Sequence, residues 1–348
     1  MSDLVNLYAP SLISPGGDSF AVSTTTYVEN NHQQQKDRSL IGADGQSTVI
    51  SCILRFEEQP DYVERLTKLI ETVYEQSLRQ IVNGLPMPVW LLLPIWLKES
   101  ETFSTLMKKL EQTPMVSVAP IRALFGEHAE GLIAIAECAR VVGDGEHPAV
   151  MLIAADSHVH PDLLDRLAVE KRIRSRLQPH GMVPGEAAAA LVIGNARHMN
   201  DMKPMGFMAG IKSNREEENL SNPLGLIGKA LAEDFRFTTR TLTPNRLMVD
   251  LNGERYRAEE FGYAVASSSS ALADLAANPE TPAFLFGDMG AATGLFLVAL
   301  ALGPRPAFAS AFRQVGEPDR TLVSTSSYHT GRRAVAVIER SSYDSEGC

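Results

Sequence analysis

Cysteine is scarce in this chain, with three in 348 residues, at positions 52, 138 and 348. Such scattered thiols exclude a disulfide framework and suit a reducing cytoplasm. Long apolar runs are also missing. The longest, near Val89 to Leu97 and Leu295 to Leu302, fall well short of the roughly 20 residues that cross a bilayer. The opening Met-Ser-Asp-Leu-Val-Asn has no basic stretch leading into an apolar one, which argues against a secretory signal. Positive charge is outweighed, since 32 Lys and Arg face 42 Asp and Glu for a net charge of −10. That balance argues against nucleic acid or an anionic membrane as partner. No segment has the biased composition of a disordered region.

What is present is an alternation of helix and strand signals, the pattern of a sheet covered by helices. Between Asp61 and Val82, the residues Val63, Leu66, Leu69, Ile70, Val73, Leu78 and Ile81 recur at three- and four-residue intervals and predict an amphipathic helix. Pro88-Val89-Trp90-Leu91-Leu92-Leu93-Pro94 predicts a strand buried on both faces. Further expectations are a strand from Thr48 to Arg55 holding Cys52, a surface loop from Asn30 to Ser39, a helix from Thr102 to Leu110 and a buried strand from Val116 to Ala119. Cys52 and Cys138 both read as small core residues. Helix, buried strand and small-residue strand occur as 129–142, 149–155 and 187–193, and again as 289–302, 321–327 and 333–339. The repeat divides the chain into an N-terminal half, 1–197, and a C-terminal half, 198–348, with the methionine-rich stretch Ala196 to Asn222 linking them.

Four segments resemble the motifs of β-ketoacyl synthases. Gly181-Met182-Val183-Pro184-Gly185-Glu186-Ala187-Ala188-Ala189-Ala190-Leu191-Val192-Ile193 is similar to the family's vPGEGAAALVL segment. Val249-Asp250-Leu251-Asn252-Gly253 resembles VEAHGTGT, with Asn252 in place of the first catalytic His. Phe286-Gly287-Asp288-Met289-Gly290-Ala291-Ala292-Thr293-Gly294 resembles iGHteaAAG, with Asp288 in place of the second. Ser326 to Glu339 keeps the strand of GFGGTNAHVVLE and loses its glycine-rich turn. Counting back without a gap from Gly145-Glu146 sets His128 at the nucleophilic Cys. The resemblance implies a thiolase-like α/β/α/β/α sandwich of two similar halves, and a homodimer or heterodimer joined by sheet-edge pairing.

The substituted positions decide what chemistry the resemblance carries over. Claisen condensation needs a thiolate, activated at a helix N-terminus, to carry the acyl chain. It also needs two imidazoles to stabilise the enolate left by decarboxylation. His128, Asn252 and Asp288 supply neither. Two have a structural alternative: Asp288 as N-cap of the helix near Met289, and His128 as a polar residue at a helix start. Asn252 can still donate a hydrogen bond to a carbonyl. Glu186 is expected to hold the glycine turn through backbone hydrogen bonds. His158-Val159-His160 spaces two imidazoles as metal ligands on an extended segment, or belongs to a surface loop. The basic cluster Lys171, Arg172, Arg174 and Arg176 is either a docking site for an acidic acyl carrier protein or a solvated helix face.

The leading expectation is a catalytically silent ketosynthase-like protein of the cytoplasm, with no cofactor and no metal, acting as an accessory or adaptor. Val5 to Gly17 and Asp37 to Gly45 resemble the shortened ketosynthase-like proteins that accompany bacterial type VI secretion effectors, which points to effector loading. The alternatives are a chain-length-factor-like partner of an active ketosynthase, and an acyltransferase of the 3-oxoacyl-[acyl-carrier-protein] synthase type. Residual thioester chemistry at His128 or Asn252 is a third class.

Overall fold

A computed structural model of the chain describes residues 5–41, 45–53, 61–81, 87–113, 120–199, 202–217, 228–307 and 317–341. In chain order, the first half contains β1 (Val5–Ile13), α1 (Phe20–Val28), β2 (Gln35–Ile41), β3 (Ser47–Ile50), α2 (Tyr62–Gln80), β4 (Val89–Pro94) and α3 (Glu101–Leu110). It continues with β5 (Ile121–Gly126), α4 (Glu130–Gly143), β6 (Ala149–Ser157), α5 (Pro161–Val169) and β7 (Glu186–Gly194). The second half contains β8 (Gly206–Arg215), α6 (Lys229–Thr239), β9 (Arg246–Val249), α7 (Arg255–Ala266), α8 (Ser270–Ala276) and α9 (Ala283–Phe286). Its last elements are α10 (Thr293–Leu302), β10 (Asp319–Ser326) and β11 (Arg332–Arg340).

Nine strands form one mixed sheet in the order β5-β4-β6-β7-β1-β8-β11-β10-β9. The order on either side of the β1–β8 join is similar, and beyond β9 the matching outer strand is reduced to a single parallel bridge from Met248 to Glu280. β1 joins the halves by pairing antiparallel with β7 and, through Val5 to Leu7, with β8. The period-two alternation of strands sends successive side chains to opposite faces. Val150, Leu152 and Ala154 of β6 thus face a central core with α4 and α10, while Met151, Ile153 and Ala155 face an outer core with α2 and α3. On β11, Ala334, Ala336 and Ile338 face that same central core, while Val335 and Val337 face α6. Five layers result, α/β/α/β/α.

The two central helices cross at glycines. A Cβ on Gly131 would lie 2.7 Å from Leu295 N and 3.0 Å from Gly294 Cα, and one on Gly294 would lie 2.5 Å from His128 O. Only hydrogen fits there. α10 is buried along its whole length, and each large apolar side chain so buried contributes about 2 kcal/mol. The long helix α2 keeps its expected apolar face inward except at Leu78, which is exposed, and is N-capped by Asp61, whose side chain accepts from Glu64 N at 2.8 Å.

Several expectations change. The stretch 206–215 is β8, a core strand that pairs with β1 and β11, so only its flanks act as a linker. Gln35–Ile41 is β2 and pairs with β3, so the loop expected from Asn30 to Ser39 is shorter. Val116 to Ala119 lies outside the described residues, and the edge strand β5 begins just beyond it. The strand expected to hold Cys52 is β3, which ends at Ile50 and is followed by an isolated bridge from Ser51 to Gly185, so Cys52 lies just beyond it, and Arg55 lies outside the described residues. Among the described residues, no helix is long and apolar enough to cross a membrane.

Candidate functional site

Two loops clasp each other to hold Asp288. Its N–H donates to Val183 O at 2.7 Å, and Gly185 N–H donates to Asp288 O at 2.9 Å. Gly287 has φ +77, and a Cβ there would meet Gly185 Cα at 2.9 Å, so glycine is required on both counts. Asn252 follows β9 in a turn whose Gly253 has φ +100 and packs on Gly181 O. His128 lies between β5 and α4. Ala129 N–H donates to Ser327 Oγ at 3.0 Å, and Ser327 Oγ donates to Glu130 Oε2 at 2.6 Å.

The three positions singled out in the sequence meet. His128 Nε2 lies 2.9 Å from Asp288 Oδ2, and Asn252 Nδ2 donates to the same oxygen at 2.5 Å. All three are at least 95% buried. Because an ionised carboxylate only accepts, His128 carries a proton on Nε2. Its Nδ1 lies 3.3 Å from Arg257 Nη2, which leaves neither ring nitrogen open. Arg257 is itself committed to Asp250 Oδ2 at 2.6 Å and Ser326 O at 2.5 Å.

The fourth member is His158, which the sequence offered only as half of a metal-ligand pair or as part of a surface loop. Its Nδ1 lies 3.3 Å from Asp288 Oδ1 and its Nε2 lies 3.6 Å from Asp156 Oδ2. Nδ1 makes no hydrogen bond. Burial lowers the His158 pKa, but Asp156 and Asp288 outweigh it and the net direction is upward. Burial would likewise raise Asp288, yet the neighbouring His128 and His158 hold it well below the usual carboxylate range. Burial does raise Asp156, although it accepts from Ala291 N and Ser157 N. Asp156 at the end of an otherwise apolar strand was the available signal, because a buried carboxylate needs partners.

This geometry revises the structural readings of the individual residues. His128 caps nothing and points into the site, although it does lie at a helix start. Asp288 accepts from Gly290 N at 3.0 Å in the turn before the helix. The residue at the N-cap is Met289 in the 290–292 turn and Ala292 in α10, so Asp288 is not the expected N-cap and instead anchors the two imidazoles. His158 and His160 separate: His160 caps α5 by accepting from Asp162 N at 3.3 Å, and His158 turns into the site instead of belonging to a surface loop. Among the described residues, no group of three or more His, Cys, Asp or Glu is arranged to hold a metal ion. Glu186 accepts from Ile53 N at 2.7 Å and Ser157 Oγ at 2.9 Å and pairs with Arg65 at 3.1 Å, so it ties α2 to the sheet and makes no hydrogen bond to the glycine turn.

The basic cluster is not a helix face, because α5 ends at Val169 and Lys171 sits in the turn beyond it. Arg172 is buried against Glu254 and cannot meet a carrier protein. Arg174 donates to Gln34 Oε1 at 2.9 Å, leaving Lys171, Arg174 and Arg176 on the surface. Cys138 is buried in α4 and burial pushes its thiol pKa upward, which removes it as a nucleophile.

A cavity of about 260 Å³ opens in front of the site, walled by Ile95, Trp96, Leu163 and Leu167, with His128 and His158 at its base. Pro94 of β4, Gly126 of β5 and Asp156 of β6 also line it, so the cavity sits over the carboxyl ends of these three strands, on the β5 side of the sheet.

No protein-family model and no characterised protein sequence matches the chain. Solved structures do. A type II polyketide synthase acyl-carrier protein in complex with its ketosynthase bound to the hexaketide superposes with TM-score 0.75 at 11% identity, covering 98% of this chain and 100% of that one. The ishigamide ketosynthase/chain length factor gives 0.72 at 15% identity, covering 97% and 99%. A ketosynthase in complex with its chain length factor from Xenorhabdus doucetiae gives 0.67 at 11% identity, covering 97% and 98%. The chain has the ketosynthase fold. Against that thiolase-type frame, His128, Asn252 and Asp288 form a hydrogen-bonded cluster with no thiol.

Proposed function

We propose that this protein is a non-condensing partner subunit, similar in role to a chain length factor, that pairs with an active ketosynthase. The observation that carries the reading is a closed catalytic position next to an open cavity. His128, Asn252 and Asp288 bond one another where a nucleophile and two imidazoles would be needed, while the cavity in front of them is retained on the β5 side of the sheet. An unpaired sheet edge is a template for a second chain. The two structures above that contain a chain length factor support the pairing. An ionised Asp288 would repel a malonyl carboxylate and oppose enolate formation, which supports silence in condensation. In this reading the halves divide at 197 and 198, the site is cytoplasmic, and a carrier protein meets the complex through Lys171, Arg174 and Arg176 without Arg172.

The resemblance to secretion-associated proteins is better accounted for by structure. Val5–Ile13 is β1, whose apolar pattern is demanded by pairing with β7 and β8, and residues 42–44 lie outside the described residues. The test is capture of the tagged full chain from its native cells, with partners identified by mass spectrometry. Recovery of a ketosynthase in stoichiometric amount is expected, and charged substitutions on β5 at Arg122 and Leu124 should abolish it. Turnover of acyl and malonyl thioesters by the purified chain alone would overturn the proposal.

A further inference from the structure

We infer that the Arg172–Glu254 ion pair is a seal that divides what would be one channel into two pockets, and so keeps an acyl thioester that enters from the Glu254 side from reaching His128. Arg172 lines the cavity beside β5. Glu254 lines a separate pocket of about 510 Å³, walled by Leu251, Gly253, Ala258 and Phe284, on its other side. The two side chains bond directly, Nε to Oε1 at 2.7 Å and Nη2 to Oε2 at 3.1 Å. Their fork geometry therefore forms the partition between the pockets.

The partition is braced from several directions. The Arg172 guanidinium carbon lies 4.4 Å from the centroid of the Tyr328 ring, a cation–π contact. Asn252 Nδ2 donates to Glu254 Oε2 at 2.9 Å and reaches Asp288 with the same group, which joins the seal to the closed site. Glu254 N–H in turn donates to Asn252 Oδ1 at 3.0 Å. Both charged side chains are buried. A planar bidentate pair keeps one geometry where a single-point contact would swivel. The cavity facing β5 is then filled from the β5 side, across the surface where a second chain would bind.

The choice of an acyl thioester as the excluded ligand rests on the partner-subunit reading, whereas the test uses the isolated full chain and needs no partner. The probe is octanoyl-pantetheine in which an amide replaces the thioester. Its polar arm suits the 251–259 side and its alkyl tail suits the cavity. Calorimetry on Arg172→Ala/Glu254→Ala should show binding at least tenfold tighter than to the wild type. Arg172→Gln/Glu254→Gln, which keeps most of the bulk, leaves an amide pair able to bridge the gap and removes the charge, should stay within a factor of three of the wild type. Should the alanine pair fail to fold, Arg172→Ser/Glu254→Ser opens the same gap and leaves hydroxyls for the orphaned neighbours. Wild-type binding as tight as that of a folded opened variant, or no gain in that variant, would overturn the seal. Loss of ketosynthase capture would instead count against the partner reading alone.

Discussion

Asp288 accepts from His128 Nε2 at 2.9 Å, and that bond ties the end of the edge strand's loop to the turn before α10. It also sets what a single substitution can achieve at this site.

Replacing His128 by Cys should not create a condensing enzyme. The new thiol would sit beside an ionised carboxylate that raises its pKa and suppresses the thiolate, and no imidazole pair would await the enolate. Release of labelled carbon dioxide from a malonyl thioester should stay at the wild-type background. A burst of release would show that Asp288 does not control this position.

Asp288→Ala should destabilise the fold by roughly 3–5 kcal/mol, the usual result of removing one partner from a buried charge pair. Three side chains, His128, His158 and Asn252, lose their shared neighbour. Urea unfolding gives the difference directly, and a loss under 1 kcal/mol would mean that the cluster is not a structural anchor.

Two carboxyls give opposite pH dependences. Burial would raise the Glu127 pKa, but His329 and the Thr330 N–H hold it at about 2, below its ordinary 4.5. Its stabilisation, about 3 kcal/mol by linkage, is full above pH 4.5 and is lost as pH falls to 2. Asp234 is raised by burial from 3.8 to about 7 despite accepting from Asn214. It holds its proton in the folded state, so stability is highest below pH 4 and declines as pH rises to 7, by at most roughly 4 kcal/mol. Glu127→Gln should flatten the first slope and Asp234→Asn the second in unfolding free energies measured against pH. A variant that keeps its slope points to a different titrating group.

Gly131→Ala forces a methyl carbon to within 2.7 Å of the α10 backbone. Both helices are buried between the sheet halves and cannot move apart cheaply, so a loss of about 1–3 kcal/mol is expected. Thermal melts of this variant and of Gly143→Ala, where a Cβ meets open space, separate the crossing from general helix effects. Equal melting temperatures would place the contact elsewhere.

Much of the fold was legible because the decisive signals are local. The helix periodicity of 62–80, the proline-bounded strand at Val89 and the small-residue strand at 187–193 each declare themselves within one element. The edge strand β5 did not, because an edge needs no continuous apolar run and Arg122 there lies over the Trp90 ring. β8 was concealed by its Gly, Lys, Ser and Asn, tolerated on a strand that is mostly half-buried. At the site, His128, Asn252 and Asp288 were found through motif register, which carries across the chain. His158 and Arg172 were named for other roles and Arg257 not at all, since their partners lie 82 to 130 residues away or depend on which way a side chain turns. No spacing in the sequence announces such pairs.

The first strand of the chain waits for partners from the end of the first half and the start of the second. Leu7 pairs with Ile193 on one side and Gly206 on the other. During synthesis, β1 therefore leaves the ribosome long before either neighbour exists, and no local hairpin can shelter it. Non-local pairing of this kind is slow, so the nascent chain must carry an unsatisfied apolar strand until the small-residue strand β7 and then β8 have emerged. Completion of β1 is gated by translation through residue 208, and a chain stopped short of that point would expose β1 as a site for aggregation or chaperone binding.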